Sequence, residues 1–389
     1  METPIKQPSV SKAKIVEQRA EFISDPIAKL RFLRKEAAPV KPTRWGKFLA
    51  ANKPNLKMGL GVIAAVLVIF AIASSQRSVK ARSLPAVAYS TTNPSAHQPG
   101  SIWMVDTRDG QEIYSNSLRI ETRFTIPLGE EPTWKFNRYP KDSKAPVPMK
   151  DPVGIVFHTT EGLMAPFEKE QNGRLKFIGE SQVRLVRSIR AYHYVIDRFG
   201  QVWRVVQESE PAFHSGNSIW ADKDWVYINL NNSFLAVSFE ARTQGDGGAL
   251  VTDAQKLSAK LLTDMLRNKY HIPSGNLVTH GQVSVNPENY GIGYHTDFGG
   301  EFPFVELGLP DNYQLPPPSM TLFGFNYDET YLEAMGDRIV PGLAKAEDML
   351  NSQAKAQGIT PALLTRRLRE QYRQIFQNLK KDNKNEVSN

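Results

Sequence analysis

The longest apolar run in the chain is MGLGVIAAVLVIFAIASS, Met58 to Ser75, which is 18 residues without a charge. As a helix it spans about 27 Å, close to the ~30 Å hydrocarbon core of a bilayer. It lacks the polar stripe that a helix packed on a soluble core keeps toward water. A single transmembrane helix is therefore expected over 58–75. Residues 76–100, rich in Ser, Pro, Ala, Thr, Asn and Gln, read as a linker. In 101–125 the runs IWMVDT, QEIYS and LRIETRFTI predict strands, the first two joined by the turn dipeptide Asp109-Gly110. Together with the Pro-rich stretch that follows, they form a β-rich N-terminal extension over 101–152.

From 153 the pattern becomes α/β. VGIVFH (153–158), AYHYVID (191–197), QVWRVVQ (201–207) and FLAVSFEA (234–241) predict strands, with a hairpin turn at Asp197–Gly200. A helix is expected from the N-cap Thr252, with Leu257, Leu261, Leu262, Met265 and Leu266 at helical spacing. Residues 315–389 read as a separate C-terminal helical extension. Its last helix opens at Thr360-Pro361 and carries Leu364, Leu368, Tyr372, Ile375 and Leu379 on one face.

Charge gives this organisation a direction. The net charge of the 389 residues is +8, yet residues 1–57 hold 13 basic and 5 acidic residues and the rest hold 35 of each. The basicity belongs to one tail, which argues against a nucleic-acid partner. Lys41, Arg44, Lys47, Lys53 and Lys57 precede the apolar run with no acid among them, against Arg77, Lys80 and Arg82 after it. The positive-inside rule then makes 1–57 a basic cytoplasmic tail and places the rest on the periplasmic or cell-wall side of the cytoplasmic membrane. Ala71-Ile72-Ala73 resembles a signal-peptidase site. A leader of 57 residues and an apolar run of 18 exceed the dimensions of a signal peptide, so the segment reads as an uncleaved anchor. With no cysteine in the chain, disulfides and thiolate ligands are excluded, and a metal would be held by His and carboxylate.

Six of the seven histidines (158, 193, 214, 271, 280 and 295) fall within 138 consecutive residues. His158 ends the apolar run VGIVFH and His280 ends NLVTH, positions where α/β folds put reactive groups at a sheet edge. Asp297 follows in YHTDFGG. Two imidazoles and a carboxylate would leave one position on Zn²⁺ open, as a hydrolytic site needs.

The blocks VGIVFHTTEG, AYHYVIDRFGQVWRVV, AFHSGNSIW, FLAVSFEA, LVTHGQ and YHTDFGG, in this order, resemble the AmpD-like zinc N-acetylmuramoyl-L-alanine amidases, whose fold is shared with peptidoglycan recognition proteins. The resemblance covers about 153–310. It implies a mixed central β-sheet flanked by helices, here preceded by the transmembrane helix, with a zinc amidase domain over 153–314. The implied metal ligands are His158, His280 and Asp297, and Glu240 in VSFEA matches the family's catalytic Glu. His295 stands where relatives place a Lys. It is expected either as an oxyanion donor or as the third ligand in place of Asp297. The stretch of about twenty residues after Thr159-Thr160-Glu161 departs from the family's usual pattern.

Three further residues are substrate-contact candidates. His193, mid-strand in AYHYVID, suits a buried or groove-floor position and a substrate contact equally. His214 and the nearby Trp220 in FHSGNSIW suit a platform for sugar or peptide as well as simple packing. His271, after a helix and before Pro273, suits helix capping. The implied activity is zinc-dependent hydrolysis of the amide between N-acetylmuramic acid and L-alanine of the stem peptide, with peptidoglycan or muropeptides as partner. A non-catalytic envelope protein that binds peptidoglycan is the alternative.

Overall fold

The computed structural model describes residues 100–129, 136–140, 147–243, 251–335 and 339–387. The expected cytoplasmic tail, transmembrane helix and linker up to residue 99 lie outside the described residues. Among the described residues, no helix is long and apolar enough to cross a membrane.

β1 (Met104–Arg108) and β2 (Gln111–Tyr114) form the expected hairpin. Asp109 and Gly110 turn it with φ of 49° and 75°, the two positive values that a two-residue type I′ turn requires. After β3 (Arg119–Glu121) come two short strands that the Pro-rich sequence hides, β4 (Phe136–Pro140) and β5 (Val147–Met149). The α/β region then runs through β6 (Gly154–Thr159), α1 (Asn172–Ser188), β7 (Tyr194–Ile196), β8 (Val202–Arg204), β9 (Ile219–Ala221), β10 (Trp225–Ile228), β11 (Phe234–Phe239), α2 (Asp253–Tyr270), β12 (Leu277–Thr279), α3 (His280–Val283) and β13 (Gly291–Ile292). Last come α4 (Pro318–Phe323), β14 (Asn326–Tyr327), α5 (Glu329–Ala334), α6 (Pro341–Ala356) and α7 (Pro361–Val387).

The main sheet has the order β1-β2-β3-β8-β7-β11-β6-β12. Its centre, β7-β11-β6-β12, is parallel, while β8 runs antiparallel to β7. The sheet is therefore mixed, as the resemblance implies. Every residue of β6 and β11 is buried, which is why both read as unbroken apolar runs rather than alternating ones. Val183 and Val186 of α1 pack with Val195 and Ala236 on the sheet. Leu262, Met265 and Leu266 of α2 join a larger core with Phe157, Val237 and Phe239. The Thr252 hydroxyl accepts from the Gln255 amide and the Gln255 side chain accepts from Thr252, a capping box that fixes the start of α2. Leu257, expected on the buried face of α2, is exposed instead, because it sits on the solvent side of the stripe set by Leu262 and Leu266. At the other end His271 caps the helix in the left-handed conformation, φ 53°. β9 and β10 pair with β4 and β5 in a second sheet ordered β5-β4-β10-β9.

The C-terminal helices were expected to stand apart, and they do not. Tyr331, Met335, Val340, Leu343, Leu350, Leu364 and Leu368 belong to the same core cluster as Phe157 and Phe239. The Tyr331 hydroxyl donates to the Gly299 carbonyl at 2.6 Å. A Cβ on Gly300 would lie 1.9 Å from Cε of Met335, so the Gly299-Gly300 pair is a seat for this region. The reason is compositional: 323–331 is too aromatic to be left in water.

Candidate metal centre

Three separated segments meet at the C-terminal edge of the parallel strands. His158 is the penultimate residue of β6, His280 opens α3 directly after β12, and Asp297 lies in the loop beyond β13. A second capping box, Thr279 with Gln282, fixes the bend from β12 into α3. The Gly281 amide donates to the Asp297 carbonyl at 3.1 Å and ties the loop to that bend. The long segment between His280 and Asp297 is folded, with a bridge between Val285 and Ile292. Ser284 pins its far end, accepting from the His295 amide and donating to the His295 carbonyl.

The three side chains converge. Nδ1 of His158 lies 3.0 Å from Oδ2 of Asp297, and Nδ1 of His280 lies 2.9 and 3.1 Å from Oδ1 and Oδ2. All three residues are buried, and one potential ligand atom from each lies within 4.8 Å of the others. Burial alone would raise the Asp297 carboxyl, but His280 and His158 beside it hold it well below the usual carboxylate range. Nε2 of His280 is buried with no hydrogen-bond partner among the described residues.

The tautomer of His158 is set from behind. The His214 Nε2–H donates to the Phe234 carbonyl at 3.1 Å. Burial, with His158, His193 and His280 nearby, keeps the His214 pKa well below normal, so that ring is neutral and its Nδ1 is an acceptor. His158 Nε2–H donates to it at 3.1 Å, which leaves His158 Nδ1 turned to Asp297. With a proton on Nδ1 this contact is an ion pair with the carboxylate at 3.0 Å; without the proton, Nδ1 offers a lone pair to a cation. Two imidazole nitrogens and one carboxylate, with the tautomer of one imidazole locked by a hydrogen-bonded neighbour, are the donor set of a Zn²⁺ site. The residues present therefore fit that ion.

His295 is not in this cluster. Its ring stacks on His280, centroids 4.3 Å apart and 14° from parallel, with Tyr294 edge-on to it at 5.0 Å. Glu240 follows the end of β11, two residues beyond Ser238, the register partner of His158. It is buried and accepts from the Arg198 amide at 3.1 Å. Burial, aided by Asp197 and opposed by Arg198, pushes its pKa up to about 7. A Cβ at Gly179 of α1 would lie 3.0 Å from its Oε2, so the helix backbone passes close beside this carboxylate.

The three residues singled out as substrate contacts are all inside the fold. His193 bridges the Ala236 amide, at 2.9 Å, and the Glu210 carbonyl, at 2.8 Å, and burial lowers its pKa to about 4. Trp220 is buried and its indole N–H donates to Asn276 at 3.2 Å. His214 serves His158 as described. The sequence reading missed Tyr192, whose ring lies 5.0 Å from the His158 ring. Its left-handed φ of 41° breaks the alternation on which a strand-based reading of AYHYVID relies. The adjacency to His193 was visible, but that turn of the backbone was not.

Residues 148–298 match the N-acetylmuramoyl-L-alanine amidase family. No curated protein matches the sequence. Similar solved structures include the N-acetylmuramoyl-L-alanine amidase LysC from Clostridium intestinale URNW, 23% identical over 40% of this chain and 83% of that one, with a TM-score of 0.24. AmpDh3 from Pseudomonas aeruginosa is 19% identical over 52% of this chain and 92% of its own, TM-score 0.33. The N-acetylmuramyl-L-alanine amidase AmiD from E. coli, solved with an anhydro-N-acetylmuramic acid peptide as substrate, is 15% identical over 61% and 99%, TM-score 0.29. The segment that matches the family, 148–298, includes β6, β11, β12 and all three converging side chains.

Proposed function

We propose that the chain is a membrane-anchored, zinc-dependent peptidoglycan hydrolase that cleaves the amide between N-acetylmuramic acid and L-alanine of the stem peptide. The observation that carries this is the convergence of His158, His280 and Asp297 within the amidase-family segment. Those three residues would hold Zn²⁺; when bound, the ion supplies Lewis acidity, polarising a scissile carbonyl and lowering the pKa of water toward ~7. His214 holds the His158 ring with Nδ1 turned toward the site, where its lone pair would meet the ion. Glu240, with a pKa near 7, is half ionised at neutral pH. It is suited to take a proton from attacking water and return it to the leaving amine. His295 presents a half-buried ring beside His280 as a hydrogen-bond donor to the developing oxyanion.

The anchor and its orientation are supported by the 18-residue apolar run and the basic residues before it. This topology puts the amidase domain in the periplasm or cell wall, where peptidoglycan lies.

The test is purified full-length chain on peptidoglycan sacculi, with products read by mass spectrometry. Free stem peptides beginning at L-alanine are expected, lost with a chelator and restored by zinc. Binding to sacculi with no peptide released would leave a recognition protein in place of the hydrolase.

A further inference from the structure

The outer face of α1 has no part in the chemistry above, yet it builds an exposed surface. α1 buries Leu175, Ile178, Val183 and Val186. Its other face exposes Arg174, Lys176, Phe177, Arg184, Leu185 and Arg187. Phe177 is 72% exposed and Leu185 55%. At eight residues apart they share one stripe, separated by about 12 Å along the axis. Lys169–Ser188 contains five basic and two acidic residues, whereas residues 58–389 are balanced overall. Of the two acids, Glu180 is engaged by Arg184 at 3.5 Å and by Arg123 at 3.8 Å. Arg174, Lys176 and Arg187 have no ion pair among the described residues, so their charge faces outward uncompensated.

Single exposed apolar residues are ordinary. Two on one stripe, bracketed by unpaired cations, are the pattern of a helix lying in a membrane interface. We propose that the outer face of α1 docks on an anionic lipid surface, with Phe177 and Leu185 entering the acyl boundary and Arg174, Lys176 and Arg187 meeting the headgroup phosphates. A soluble polyanion would use the cations and leave both apolar side chains in water; a bilayer takes up both. The same helix holds Gly179 against Glu240 on its inner face. Docking would therefore hold the catalytic carboxylate about one helix diameter, ~10 Å, from the membrane. The inference depends neither on the anchor at 58–75 nor on the amidase activity.

The absence of cysteine allows a direct test. Ser181→Cys, midway between Phe177 and Leu185, carries an environment-sensitive fluorophore on the full-length chain, and Ser352→Cys on α6 is the control. Vesicles of phosphatidylcholine with about 30% phosphatidylglycerol are compared with phosphatidylcholine alone. A blue shift at position 181, absent at 352 and weak on neutral vesicles, is expected. Phe177→Ala with Leu185→Ala, and separately Arg174→Gln with Lys176→Gln and Arg187→Gln, should each weaken it by about tenfold or more in lipid concentration. Hydrolysis of a soluble muropeptide by these variants should be unchanged. No response at 181, an equal response at 352, or an equal response on neutral lipid would overturn the proposal. So would a response to soluble polyphosphate that matches the vesicles and ignores the Phe177 and Leu185 changes.

Discussion

Two clusters of buried polar side chains in this fold look alike by burial and differ in their charge. In one, Arg204 makes a bidentate pair with Glu112 at 2.6 and 2.8 Å and reaches Glu208 at 2.9 Å. Glu208 also accepts from Lys269 at 2.6 Å, from Tyr270 at 3.0 Å and from Tyr194. Burial would raise the Glu208 carboxyl, but Arg204 and Lys269 overcome this and bring it to about 2. Two cations answer two carboxylates and the network is closed. In the other, two imidazoles turn the same nitrogen to one carboxylate, and the far nitrogen of His280 has no hydrogen-bond partner among the described residues. The groups that answer its carboxylate are imidazoles, charged only when protonated. Buried charge by itself marks nothing; convergence of two imidazoles and a carboxylate on one point is what separates a site from a brace.

The sharpest break of this comparison is at the open cluster. His280→Ala or Asp297→Ala should lose bound zinc, read by metal analysis, and take turnover below detection while the chain still unfolds cooperatively. Retention of a full equivalent of zinc by either variant would remove that residue from the ligand set. Next in size is Glu240→Gln, expected to keep zinc and lose about 10²–10⁴-fold in turnover. With a pKa near 7, the wild-type rate should climb as pH rises through that value, because the base works only when ionised. Burial that raises this pKa also means that Glu240 favours the folded state when protonated, a contribution lost as pH rises through about 7.

The closed cluster predicts the opposite pairing of effects. Arg204→Ala leaves Glu112 and Glu208 buried without their guanidinium. It should cost about 3–5 kcal/mol of stability, measured by denaturant titration. The fraction that remains folded should bind zinc and turn over normally. A lowered zinc affinity in that variant would mean that the two clusters are coupled after all.

The parts of this arrangement that the sequence makes legible are those carried by continuous local pattern. The strand ending at His158, the hairpin at Asp109-Gly110 and the cap at Thr252 all announce themselves through short-range chemistry. The convergence of His158, His280 and Asp297 was legible through family resemblance together with their places at strand ends. Burial was not. His193, His214 and Trp220 looked equally fit for substrate, because nothing local tells a platform from a core residue when both are aromatic or imidazole. The C-terminal helices looked detached because contacts such as Tyr331 to Gly299 join residues 32 apart in sequence, beyond the reach of any periodicity. The helix after Glu161 showed its charge, but not that its apolar Phe177 and Leu185 would stay outside.

The finest comparison is between His214 and His193, both buried and both bonded through two nitrogens. His214 passes its hydrogen-bond polarity on to His158, whereas His193 links the Ala236 amide to the Glu210 carbonyl. Replacing His214 with Phe removes the acceptor that fixes the His158 tautomer, and zinc affinity should fall about 10–100-fold. His193→Phe strands a backbone donor and a backbone acceptor instead. It should cost about 1–3 kcal/mol of stability for each group left unpaired, with zinc affinity unchanged. Competition against a chromophoric chelator reads the first effect and thermal unfolding the second. Equal zinc affinities for the two variants would mean that His158 is oriented by packing against Tyr192 alone, and that the hydrogen-bonded chain through His214 to Phe234 does not hold its lone pair in place.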